Sequence, residues 1–314
     1  MSITTPPVPS ALPEKPSAQV SWRRRFSKLV QPLVLLAPPG LWLLVLLVLP
    51  TLLILELSLI PGFRLGQPAG GYGIGNYLEI LLPRSSATEA IGNPYLRVIG
   101  RSLYFATGST LLTLVLGFPV AYWIAVMAPA RWRNLLLVGF VLPLWTSSLL
   151  RAYAWITILR PTGLLNSILG AIGIPGQDWL NQSPAVFIGM AYSFLPYMVL
   201  ILYASLEKLD KRLLEAASDL GATPSQAFLR ITVPQTLPGI AAGGLLVFIA
   251  SLGDFVVPEL LGGASNMTIS RFIFNQFLGA TRNWGLGSSL SMILIFAVSV
   301  SIALLIKYGD RDAV

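Results

Sequence analysis

Leu213–Ile240 reads LLEAASDLGATPSQAFLRITVPQTLPGI. It is polar and helix-forming, and it lies between two strongly apolar runs. Lys208 to Leu220 predicts one helix, with Leu213, Leu214, Ala217 and Leu220 on one side and Lys208, Lys211, Glu215 and Asp219 on another. Gly221 stands where a C-terminal cap needs left-handed dihedrals. Thr223 then predicts an N-cap, Pro224 suits a first turn, and Gln226 completes a capping box. Ala227 to Thr232 continues a second short helix. Pro234 is expected to stop it, and Pro238 to open the next apolar run. Acids and bases balance across the segment: Glu207, Asp210, Glu215 and Asp219 against Lys208, Lys211, Arg212 and Arg230. A connection that only returns the chain needs a few residues. A shaped corner of this length points to a docking element, and an amphipathic surface helix without a partner is the alternative.

The surroundings explain why such a segment stands out. Of 314 residues, 54% are hydrophobic and 11% are charged. A soluble domain carries about 25% charged residues, so this chain cannot cover a water-facing surface. Six apolar runs reach the roughly 20 residues that a bilayer core takes. They are 33–59, 102–127, 135–159, 184–206, 239–261 and 286–308. The expected fold is an all-α integral membrane protein with six transmembrane helices. Pro119, Pro143 and Pro196 lie inside the second, third and fourth runs, where each frees a carbonyl and permits a kink. Ahead of them come a Pro- and Ser-rich tail at 1–21, expected to be disordered, and an amphipathic stretch at 22–32 that predicts a short interfacial helix. The first span then covers 33–60, a long outer loop 61–101, the membrane core 102–308 and a short tail 309–314.

The net charge of +8 is positional. With the N-terminus inside, thirteen of the 21 Lys and Arg, including Arg23, Arg24, Arg25, Arg131, Arg133 and Lys208, fall on the inner side. Seven, including Arg64, Arg97, Arg160 and Arg271, fall outside. That bias satisfies the positive-inside rule and predicts both termini in the cytoplasm. Nucleic acid is then not needed to explain the basic excess; lipid is the expected surround. The outer loops interleave Tyr72, Tyr77, Tyr95, Trp179 and Trp284, as interface-belt anchors or as a docking surface.

The chain has no Cys and no His, which excludes thiol chemistry, His-based metal sites and His general bases. None of its five lysines ends a phosphate loop of the G-x-x-x-x-G-K-[ST] type. No cofactor or metal site and no catalytic set is expected on this chain.

Glu215-Ala216-Ala217, three residues, Gly221, nine residues, then Ile231-Thr-Val-Pro234 closely resembles the E-A-A loop of ABC-transporter permeases. Val233 stands where that family usually has Leu. The resemblance implies a type I, MetI-like importer permease and a coupling loop at 207–238. Glu215, Ala216, Ala217, Gly221, Ile231 and Pro234 would then dock on a separate ATPase subunit, which would bind the ATP and Mg. It further implies a second permease chain, a periplasmic substrate-binding protein and the bacterial inner membrane. LRAYAWITILRPTGLLN (Leu150–Asn166), LPYMVLILYASLEKLD (Leu195–Asp210) and GDFVVPELLGG (Gly253–Gly263) look like the spermidine/putrescine importer permeases. An ATP-independent secondary transporter and a membrane-embedded enzyme are the competing classes. The first would often show inverted repeats and the second a convergent catalytic set, and neither is visible.

Glu56, Asp254 and Glu259 lie in or at the outer ends of spans, where carboxylates are expensive and usually face a cavity or a partner. A polycation shedding water needs such acids. Asp254 and Glu259 are five apart and do not stack on one helix face, and Pro258 is expected to break the helix between them. They either line a cation path, with Glu56, or pair with Arg151 or Arg271.

Overall fold

The computed structural model describes residues 18–68, 70–82 and 93–309. The tail 1–17 and the C-terminal residues 310–314 therefore lie outside the described residues. Thirteen α-helices appear among the described residues: α1 Ala18–Ser58, α2 Gly75–Leu81, α3 Pro94–Tyr122, α4 Ala130–Val141, α5 Ser148–Leu159, α6 Leu164–Ala171 and α7 Ser183–Leu206. They continue with α8 Lys211–Asp219, α9 Pro224–Ala227, α10 Val233–Gly253, α11 Val256–Gly262, α12 Ile269–Leu278 and α13 Trp284–Gly309. The chain divides into two units, Met1–Leu53 and Ile54–Val314, each described by itself.

In the first unit, one uninterrupted helix replaces the separate interfacial helix expected at 22–32. Nothing in 18–33 stops it: Pro32 is the first residue that cannot donate, and α1 runs through it. Leu36–Ser58 is the apolar part that is long enough to cross a membrane.

In the second unit, Pro94–Met127, Ser183–Leu206, Pro224–Gly253 and Trp284–Ala303 are also long and apolar enough to cross. The third run is not one helix. Ala130–Trp145 and Ser148–Ala171 are bent by 93° against each other, so the expected continuous span 135–159 is broken. Pro143 enters a 3-10 turn at Leu142–Trp145, and Thr146 turns extended. Its hydroxyl donates to the Pro143 carbonyl at 2.7 Å, a local bond that competes with the helix ladder.

Two further boundaries move. The second span starts at Pro94 instead of residue 102, because Asn93 accepts from the Tyr95 and Leu96 amides and Pro94 takes the first turn. The apolar run 239–261 is cut at Gly253–Asp254, ahead of Pro258. Pro258 sits in the first turn of α11, where its missing N–H costs nothing.

Helices α3, α7 and α10 form the centre. Phe118, Ala121, Ile124, Met198, Leu202 and Val247 are buried between them. Phe105, Leu159, Val186, Met190, Val257 and Leu261 build a second cluster that holds α5 and α11 on α3 and α7. Small residues set the spacing, as in membrane helix packing generally. A side chain at Gly189 would collide with Leu261 and Val257, so that glycine lets α11 lie on α7.

Candidate functional site

The loop 207–238 builds its corner from local bonds. Helix α8 begins at Lys211, later than the expected Lys208, because Asp210 accepts from the Arg212 amide at 3.0 Å and turns the chain there. At its other end the Gly221 amide donates to Ser218 at 3.0 Å and the Ala222 amide to Ala217 at 2.9 Å. This is the paired closure of a Schellman cap, and Gly221 has φ +81 as that motif requires. The capping box at Thr223 and Gln226 is complete. So the corner is rigid through its own sequence.

Pro234 does not stop the second short helix. Phe228–Thr232 forms a π-helical turn, and the helix runs on from Pro224 to Gly253 through Pro234 and Pro238. The wider turn accommodates the residues that cannot donate. Ile231 and Pro234 therefore belong to the base of a membrane-length helix.

The expected apolar side of α8 is only partly covered, with Leu214 half-buried. Ala217 is buried, but Leu213 is exposed, as are Glu215 and Ala216, and Leu220 at the corner is 89% exposed. Leu229 beyond the corner is 64% exposed. The loop thus presents leucines around the motif residues instead of burying them.

Sequence reasoning missed the root of the loop. Phe228 packs edge-on against both Phe118 and Tyr122 of α3, with ring centroids 5.5 Å apart in each pair. Those two rings flank Pro119 and precede a second π-helical turn at Trp123–Met127. Phe228 is the only aromatic residue in 207–238, and that was the available signal.

The three acids are each engaged differently. Asp254 accepts from the Val256 amide at 2.9 Å and from Val257 at 3.5 Å, so it caps α11. Arg151 on α5 acts on Asp254 electrostatically, yet forms no salt bridge with it among the described residues. Its Nε and Nη1 are buried without a hydrogen-bond partner. Glu259 pairs with Arg271, whose Nη1 also donates to the Gly263 carbonyl at 2.9 Å. Glu56 accepts from the exposed Tyr72 hydroxyl at 3.1 Å. That bond and the Glu56 charge raise the Tyr72 phenol above its usual range. The structure does not bring Glu56 into contact with the other two acids. Four of the outer aromatics place their polar ends on the protein itself: Tyr77 on Ser58, Tyr95 on Glu79, Trp179 on Asn166 and Trp284 on the Phe277 carbonyl.

These features describe a helical membrane subunit with an exposed, locally capped corner at one end and a charged, broken helix at the other. The family model described as "Binding-protein-dependent transport system inner membrane component" matches residues 117–309. The chain belongs to that family, and it is a permease subunit of an ABC importer that works with ATPase subunits and a periplasmic binding protein.

Within the family it is 39% identical over 267 residues to the spermidine/putrescine transport system permease protein PotB of Haemophilus influenzae, covering 84% of this chain and 88% of that protein. Among solved structures, a chain of a bacterial ABC transporter involved in the import of the acidic polysaccharide alginate matches with TM-score 0.69 at 19% identity. That match covers 93% of this chain and 99% of the other. A chain of the MetNI methionine ABC transporter in inward-facing conformations matches with TM-score 0.52 at 16% identity, covering 73% and 99%. At these identities the two structures speak for the fold alone, which is all-α, multi-pass and MetI-like.

Proposed function

We propose that this chain is the permease through which a polyamine, spermidine or putrescine, enters the cell. The observation that carries the substrate class is the 39% identity to a spermidine/putrescine permease across 84% of the chain. In this reading both termini face the cytoplasm and 207–238 docks on the ATPase, which holds ATP and Mg. A second, related permease chain completes the pathway.

The loop geometry supports the docking role. Glu215 and Ala216 are exposed beside the bare Leu220, on a corner whose backbone turn is already formed, which lowers the ordering cost of binding. Phe228 supplies the route inward, because movement of the loop presses directly on α3 at Phe118 and Tyr122.

Asp254, Glu259 and Glu56 are assigned to the cation path, with Asp254 the leading residue. Its charge is shared with backbone amides, whereas Arg271 already neutralises Glu259. A passing ammonium group would compete with Arg271 for Glu259 and with the α11 amides for Asp254.

The test is uptake of labelled putrescine and spermidine by cells with and without this gene, in a strain lacking other polyamine importers. Unlabelled amines and neutral or anionic solutes serve as competitors. Loss of uptake on deletion, with only amines competing, is the expected result. Unchanged uptake removes the polyamine assignment and leaves the permease role standing. An Asp254→Asn, Glu259→Gln double variant that inserts normally is expected to lose uptake, and normal uptake would remove both acids from the path. Glu215→Ala is expected to insert normally and to lower solute-stimulated ATP hydrolysis in the assembled complex.

A further inference from the structure

Where α7 ends and α10 begins, a cavity of about 380 Å³ opens between them. Gly239 makes it possible, since any side chain there would strike Ser205, and the two helices meet at that point. The lining is graded along the helix axes. Ile201, Ala204 and Pro238 form the part nearer the middle of the helices, and Ser205, Lys208 and Gln235 form the part nearer the loop.

All three polar side chains are uncommitted among the described residues. The carboxylates on either side of Lys208 are occupied elsewhere: Glu207 accepts from Tyr203 at 3.0 Å and Asp210 from the Arg212 amide at 3.0 Å. Lys208 forms no ion pair among the described residues. A cation, a hydroxyl and an amide thus converge on a recess whose inner wall is aliphatic, at the end of two membrane-length helices.

We propose that this recess binds an anionic phospholipid from the adjoining leaflet. Its phosphodiester lies against Lys208, Ser205 and Gln235, and the first acyl carbons against Ile201, Ala204 and Pro238. One ammonium matches the single negative charge of a phosphodiester. A free phosphate would satisfy the polar end and leave the apolar wall empty, so the lipid fits the whole lining. The site joins the entry and exit of the loop 207–238, so an occupying lipid braces both roots of the coupling corner. This consequence rests on the docking role proposed above; the binding itself does not.

The experiment uses the assembled importer in nanodiscs of phosphatidylcholine with and without phosphatidylglycerol, read by native mass spectrometry of retained lipid. Retention of phosphatidylglycerol is expected to fall about fivefold in Lys208→Gln, the worth of one basic residue at an anionic surface. A similar loss is expected in Ala204→Phe, which fills the recess and keeps the charge. Inorganic phosphate is expected not to displace the lipid. Equal retention in all three proteins overturns the site. Loss in Lys208→Gln alone overturns it too, because that is a surface-charge effect without a cavity. Displacement by inorganic phosphate overturns the lipid assignment in favour of a free anion. Failure of the docking role would show separately, as normal coupling in a Gly221 variant whose lipid retention is intact.

Discussion

The two ends of α10 contrast sharply. At Pro224–Thr232 the chain turns into the helix through bonds between near neighbours, and the adjoining corner leaves its leucines bare. At Gly253–Arg271 the helix breaks, and the groups that bond across the break come from separate elements: Asp254 just after α10, Glu259 on α11 and Arg271 on α12. The first end is an exposed corner closed by local bonds. The second is an internal joint whose charges depend on how helices pack. In the function proposed above, force would enter at the first end and the pathway would rearrange at the second.

Substitutions that hit one end only should separate the two. Gly189→Val would push α11 away from α7, with an overpacking cost of about 1–3 kcal/mol. Lower thermal stability of the complex and lost uptake are expected, and unchanged stability would show that α11 is not held there. Gly221→Val forces a branched side chain into left-handed dihedrals, a cost of about 1–2 kcal/mol that the exposed corner relieves by opening its cap locally while the helix packing stays intact. Solute-stimulated ATP hydrolysis should fall while thermal stability stays near wild type. A matching fall in stability would erase the distinction drawn here.

Phe228→Leu keeps most of the apolar bulk and removes the edge-on ring pairs, which are worth about 0.5–1.5 kcal/mol. A coupling loss of a few-fold is expected, with the loop still able to bind the ATPase in a pull-down assay. Loss of binding instead would make Phe228 part of the docking face. Glu259→Gln should cost under about 1 kcal/mol, because Glu259 is 42% exposed and solvent screens the pair. The double variant with Arg271→Gln should recover part of that loss in a thermal melt. No recovery would mean that the two side chains do not stabilise the joint as a pair.

How much of this was legible follows the same division. The Gly221 cap and the Thr223–Gln226 capping box depend on residues close in sequence, and each appears where its spacing places it. The helix boundaries were less legible. Pro234 looks like a stop and Pro238 like a fresh start, yet one helix runs through both, widened at Phe228–Thr232. The 93° bend inside 135–159 looked like one hydrophobic run, because apolar composition alone does not distinguish a straight span from a broken one. Asp254 invited attention as an expensive acid, and the structure adds that it caps α11, which required knowing that the helix breaks just before it.

By itself the sequence determined the class: too few charges for a water-soluble surface, runs long enough to span, and a polar corner shaped by Gly221, Thr223 and Gln226. Those are consequences of composition and of contacts a few residues apart. Tertiary structure alone decided that Phe228 meets Phe118 and Tyr122, that Glu259 takes Arg271 while the buried nitrogens of Arg151 stay without partners, and that Ser205, Lys208 and Gln235 share one recess. Each of these joins residues separated along the chain, and their meeting depends on how closely glycine-spaced helices approach.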